Sequence, residues 1–94
     1  KQVVIGSASS KTGFGLAYAL RRLAPGAVRV IGLTSARNLA FVRGLDIYDD
    51  VRAYDDLKAI ENAPTAFIDM AGDGAVTAAL DAHLGENITF SCGV

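Results

Sequence analysis

Tryptophan is absent, and cysteine occurs once, at Cys92. A single thiol excludes an internal disulfide framework and leaves no partner for a cysteine-based zinc site. Proline occurs only twice and histidine once, so nothing in the composition suggests a proline-rich linker or a histidine metal cluster. Neither sign of charge dominates: nine Lys and Arg stand against ten Asp and Glu, for a net charge of −1. That balance provides no electrostatic footprint for nucleic acid and no polybasic membrane anchor. No apolar run approaches the roughly 18 residues that span a bilayer, and no signal-peptide pattern is present. The expected setting is a reducing cytoplasm, and the expected partner is a small molecule.

Half of the 94 residues are apolar, enough for one small domain with a real core. The chain enters a strand pattern almost at once and stops directly after another. The expectation is one domain over residues 1–94, cut from a longer protein whose catalytic domain lies elsewhere.

Five β-like runs alternate with helix-like stretches. The runs are 2–5, 28–33, 51–54, 66–70 and 88–92, and the helices are 16–23, 36–43, 56–62 and 75–84. The first, second and fourth runs are almost continuously apolar, as strands covered on both faces are. In the first helix Leu16, Leu20 and Leu23 with Ala17 and Ala24 form an inward stripe, Arg21 and Arg22 face away, and Pro25-Gly26 ends it. Ser35 is a candidate cap of the second helix with Gly44 beyond its end, and Asp55 is a candidate cap of the third. In the fourth, Val76, Ala79, Leu80 and Leu84 face inward and Gly85 follows. Alternating strands and helices predict a Rossmann-type three-layer α/β/α domain with a parallel sheet. Strands two and three lie on one side of strand one, and strands four and five on the other. Ligands of such sheets bind at the carboxyl ends of the strands, where the order reverses.

The stretch Ser7–Gly15, "SASSKTGFG", occupies that position. A P-loop would need glycines where Ile5 and Ser10 stand, so Ser10-Lys11-Thr12 is not its end. A dinucleotide loop needs a tight turn, a close backbone approach and a small residue where helix meets strand. Ser7, Ser10 and Gly13, at i, i+3 and i+6, meet that need, and Gly13 and Gly15 let the helix pack close. An NAD domain places an acid about 20 residues further on, for the ribose 2′-hydroxyl. Here the stretch is Gly32-Leu33-Thr34-Ser35-Ala36-Arg37-Asn38, with no acid, two hydroxyls and an arginine. Arg37 suits a 2′-phosphate by charge and fork geometry, which predicts NADP in preference to NAD. The plain alternative is that Ser35 caps the helix and Arg37 is solvated. Tyr54-x-x-x-Lys58 spells a short-chain reductase pair but precedes the fourth strand, where that family places it after the fifth. His83 reads as an imidazole at a helix end, Asp69 as a buried carboxylate or a catalytic one, and Cys92 as a small core residue. A domain whose loop binds nothing stays open.

The pieces "VVIGSASSKTGFGLAYAL", "VRVIGLTS", "DDVRAYDDL", "AFIDMAG" and "NITFSCG" resemble, in order, the nucleotide-binding domain of medium-chain dehydrogenases/reductases of the quinone oxidoreductase-like branch. More narrowly, "SASSKT", "GLTSARNLAFV", "YDDVRAYDD" and "IDMAGDGAVTAAL" resemble the DUF2855 group. The resemblance implies NADP(H) and hydride transfer to or from a carbonyl or activated alkene. It implies that Ser9, Ser10, Lys11, Thr12 and Gly13 line the pyrophosphate. Thr34, Ser35, Arg37 and Asn38 would meet the adenosine ribose and its phosphate, and Tyr54 would lie near the adenine. Ala71, Gly72, Cys92 and Gly93 would approach the nicotinamide half. It also implies a homodimer through the sheet edge. Ser10-Lys11 stands where that superfamily usually has Gly-Gly, and Lys11 is expected to pair with the pyrophosphate. The rival reading is a non-catalytic domain of this fold, with a degenerate loop, used for nucleotide sensing or subunit contact.

Overall fold

The computed structural model describes residues 2–6, 11–23, 26, 28–69 and 74–93. Five strands, β1 (Gln2–Gly6), β2 (Arg29–Thr34), β3 (Asp50–Ala53), β4 (Thr65–Asp69) and β5 (Ile88–Gly93), form one sheet in the order β3-β2-β1-β4-β5. Every pairing is parallel. The helices are α1 (Lys11–Leu23), α2 (Leu39–Gly44) and α3 (Gly74–Leu84). Shorter 3-10 turns occupy Ala36–Asn38, Tyr54–Ala59 and Gly85–Asn87. This is the Rossmann-like α/β fold, with the order reversing at β1, as the alternation of runs implied.

The sheet is buried from both sides because its central strands are apolar on both faces. Val3 and Ile5 point one way with Val30 and Val51, under Ala17 of α1 and Val42 of α2. Val4 points the other way with Ile31, Leu33 and Phe67, under Leu57, Ile60 and the α3 residues Val76, Leu80 and Leu84. At the amino end of β1 the Gln2 amide is held by the Glu61 carbonyl at 2.7 Å and the Thr65 hydroxyl at 2.9 Å.

Several local expectations are corrected. The first helix begins at Lys11, five residues earlier than its apolar stripe suggested. Gly13 is poor helix material, but its burial against the sheet carries the helix through it. Leu23 is 85% exposed, so the inward stripe closes at Leu20. Arg21 does not simply face water. Its Nη1 donates to the carbonyls of Asp46 at 3.0 Å and Ile47 at 2.8 Å, and Nε lies 3.9 Å from the Asp49 carboxylate. This reach fastens α1 to the turn before β3. Ala24, Pro25 and Met70 lie outside the described residues.

The second expected helix is split into the turn Ala36–Asn38 and the six-residue α2, which includes Gly44. Ser35 is extended (φ −70°, ψ 153°) and makes no side-chain cap bond. The Asn38 N–H closes the turn on the Ser35 carbonyl at 3.0 Å. The third expected helix is the 3-10 turn Tyr54–Ala59, entered from Ala53 and not capped by Asp55. Asp56 (φ −121°, ψ 30°) kinks it, and its carboxylate lies 3.4 Å from Arg52. Only Leu57 of that turn is buried, too little apolar surface to hold a longer helix. Ala79 is exposed rather than inward. Gly85, at φ +53°, takes the left-handed conformation that ends α3 with no Cβ penalty.

Candidate functional site

The carboxyl ends of the strands place several of the chosen residues along one edge. Gly6, Asp69 and Gly93 stand side by side in register, with Ile68 paired to Cys92 just behind. Thr34 pairs with Ala53, so Ser35 and Tyr54 are the first residues beyond the sheet on that side. Lys11 and Thr12, both exposed, open α1, which follows β1 after four intervening residues. Ser7, Ser9, Ser10, Ala71 and Gly72 lie outside the described residues.

Gly13 is buried where α1 rests on the sheet, the position at which a dinucleotide fold needs a small residue. Gly15 does not share that role: a Cβ there would meet nothing within 4 Å. The amino end of the 13-residue α1 brings the positive end of the helix dipole to the reversal point of the sheet.

The end of β2 leads into a polar segment. Thr34 is 1% exposed, Ser35 and Asn38 are half-buried, and Arg37 is exposed. Both Ser35 and Asn38 occupy cap positions, yet neither caps with its side chain. Their hydroxyl and amide make no hydrogen bond to another described residue.

The chain has six arginines, and the structure distinguishes one. Arg21 grips the turn before β3. Arg22 lies over the Tyr18 ring at 5.5 Å and donates to its hydroxyl at 3.0 Å. Arg29 and Arg52 share the Asp50 carboxylate, at 3.5 Å and 3.0 Å, along the exposed edge of β3. The hydrogen bond that Arg52 donates to Asp50, with the charge of that carboxylate, raises the guanidinium above its ordinary range. Arg43 donates to the Val51 carbonyl at 3.3 Å. Arg37 alone of the six has no ion pair or hydrogen bond with a described residue. Its guanidinium is exposed, in the same short segment as Ser35 and Asn38.

Tyr54 is half-buried against the cluster that contains Leu33 and Leu57, at the mouth of β3. From it a groove of about 620 Å³ runs between the turn Tyr54–Ala59 and α3, floored by Leu57, Ala79 and Ala82 and closed by His83. Residue-by-residue reasoning missed this groove. Its signal was the α3 sequence "AVTAALDAHL", which is apolar around most of its circumference. His83 stands in the last turn of α3, as the helix-end reading expected. Its Nε2 lies 2.8 Å from the Ile60 carbonyl, which only accepts, so Nε2 carries the proton and ties α3 to the segment after β3. Among the described residues, no three His, Cys, Asp or Glu side chains gather where they could hold a metal.

Over residues 1–94 the chain matches the family described as protein of unknown function (DUF2855), and it belongs to that family. No curated protein and no solved structure matches it.

Proposed function

We propose that this member of the DUF2855 family is the NADP(H)-binding domain of an oxidoreductase related to the medium-chain reductases. The observation that carries the reading is the uncommitted Arg37 guanidinium at the end of β2, where an NAD domain would have an acid. An arginine with five donors and no internal acceptor is suited to a 2′-phosphate. The free Ser35 and Asn38 side chains support the same reading, because residues at cap positions usually spend their polar atoms on the helix. The buried Gly13 supports a dinucleotide at the amino end of α1.

When bound, the nicotinamide supplies a hydride to, or accepts one from, a carbonyl or activated alkene. This chain's residues bind and orient. The Lys11 ammonium would pair with the pyrophosphate, and Ser9, Ser10 and Thr12 would be further donors to it. Arg37, Ser35 and Asn38 hold the adenosine ribose and its phosphate beside Thr34, and Tyr54 borders the adenine. By the same resemblance, Ala71, Gly72, Cys92 and Gly93 would approach the nicotinamide half. A homodimer through the sheet edge is a further expectation of the same kinship.

The test is the charge reversal Arg37→Glu in the full-length protein, with dissociation constants measured for both cofactors. Reversal is expected to weaken NADPH by at least about tenfold, the loss of one charge-assisted pair, and to leave NADH within about twofold. Equal losses for both cofactors would overturn the role of Arg37. The rival role, nucleotide sensing without catalysis, is favoured if NADPH binds but the full-length protein turns over no carbonyl or alkene.

A further inference from the structure

Phe41 is 58% exposed, a large apolar surface left in water on a helix of only six residues. Its ring meets that of Phe14 at a centroid distance of 6.3 Å and a tilt of 51°. That is within the range of favourable tilted aromatic pairs. Phe14 lies in the first turn of α1, three residues after Lys11. Phe41 lies four residues after Arg37. The pair therefore joins the two elements that the proposed cofactor site draws on.

Besides that pair, the segment around Arg37 is held by Leu39 and Val42 on the sheet and by Arg43, which donates to the Val51 carbonyl at 3.3 Å. Ser35 and Asn38 make no cap bonds, and Val42 is the one buried residue of α2. A helix so short has no stability of its own. Where residues 35–38 sit is thus decided by what α2 packs against. One side of that packing is Leu39 and Val42 on the sheet, and the other is Phe41 on Phe14.

We infer that Phe41 is a positioning residue for cofactor selection, bracing α2 on α1 so that the Arg37 guanidinium is held ready for a 2′-phosphate. This rests on the NADP(H) reading proposed above. A loose segment must be ordered at the moment of binding, and that cost falls on the ligand that needs it. NADPH needs Arg37 in place. NADH offers it no phosphate and loses less when it moves.

The test compares the full-length wild type with Phe41→Ala and Phe41→Tyr, measuring dissociation constants for NADPH and NADH and the urea midpoint of each variant. Removing one aromatic pair is expected to weaken NADPH between about 2-fold and about 10-fold. The ratio of the NADH to the NADPH constant is expected to fall at least twofold in Phe41→Ala and to return to the wild-type value in Phe41→Tyr, which keeps the ring. An unchanged ratio in Phe41→Ala, with wild type still preferring NADPH, overturns the bracing role and leaves the NADP(H) reading standing. The bracing role is also overturned if Phe41→Tyr lowers the ratio as much as Phe41→Ala. If the wild type binds neither cofactor, both inferences fall together.

Discussion

Tyr48 predicts how this domain fails in alkali. The residue lies in the turn before β3, 6% exposed, within the cluster that contains Val30, Val42 and Val51 beneath α1 and α2. Burial disfavours the phenolate and pushes the Tyr48 hydroxyl from its ordinary 10.0 up to about 12. In the unfolded chain the phenol ionises near its ordinary value. Below pH 10 both states keep the proton and stability is unaffected. Between pH 10 and pH 12 the unfolded state loses the proton first, so stability falls as pH rises, by about 1.4 kcal/mol per pH unit. Over the whole interval the loss is about 2–3 kcal/mol, a large share of the roughly 5–15 kcal/mol that holds a domain together. The variant Tyr48→Phe shares every other group of the chain, so the informative quantity is a difference. Urea unfolding of wild type and Tyr48→Phe is measured at pH 9 and pH 11. The advantage of wild type over the variant is expected to shrink by about 1–1.5 kcal/mol between those two values. A difference that stays constant with pH would refute the claim that Tyr48 is held protonated by burial.

Two further substitutions test the packing. Phe67→Ala removes the largest fully buried side chain among the described residues, in the cluster with Leu57 and α3, and should cost about 3–5 kcal/mol in urea unfolding. A cost under about 1 kcal/mol would mean that this face is not packed as described. Leu23→Gln, at a residue 85% exposed, should change stability by no more than about 0.5 kcal/mol; a larger loss would restore Leu23 to the inward stripe.

The layered architecture could be read from the sequence because its signals are redundant. Val3-Val4-Ile5 is apolar at every position, which only a strand covered on both faces needs. The alternation of five such runs with helical stretches leaves little freedom in the order of a parallel sheet. Failures cluster where one residue had to decide between close alternatives. The close packing expected of Gly13 was legible, but two glycines in four residues masked the start of α1 at Lys11. Ser35 looked like a cap, but the chain enters a 3-10 turn there, closed by backbone alone. The turn Tyr54–Ala59 has one buried apolar residue, too weak a period to separate a 3-10 turn from a helix.

Arg37 was singled out by its spacing from the loop; the structure adds that the other five arginines are engaged with described residues. Phe41 carried no sequence signal. A phenylalanine in an apolar helix reads as core, and its place over Phe14 is a tertiary fact.

The most direct measurement is a titration of the full-length protein with NADPH and with NADH, followed by calorimetry or nicotinamide fluorescence. Saturable binding with the smaller dissociation constant for NADPH is predicted. Absence of binding by either cofactor at millimolar concentration would contradict the account.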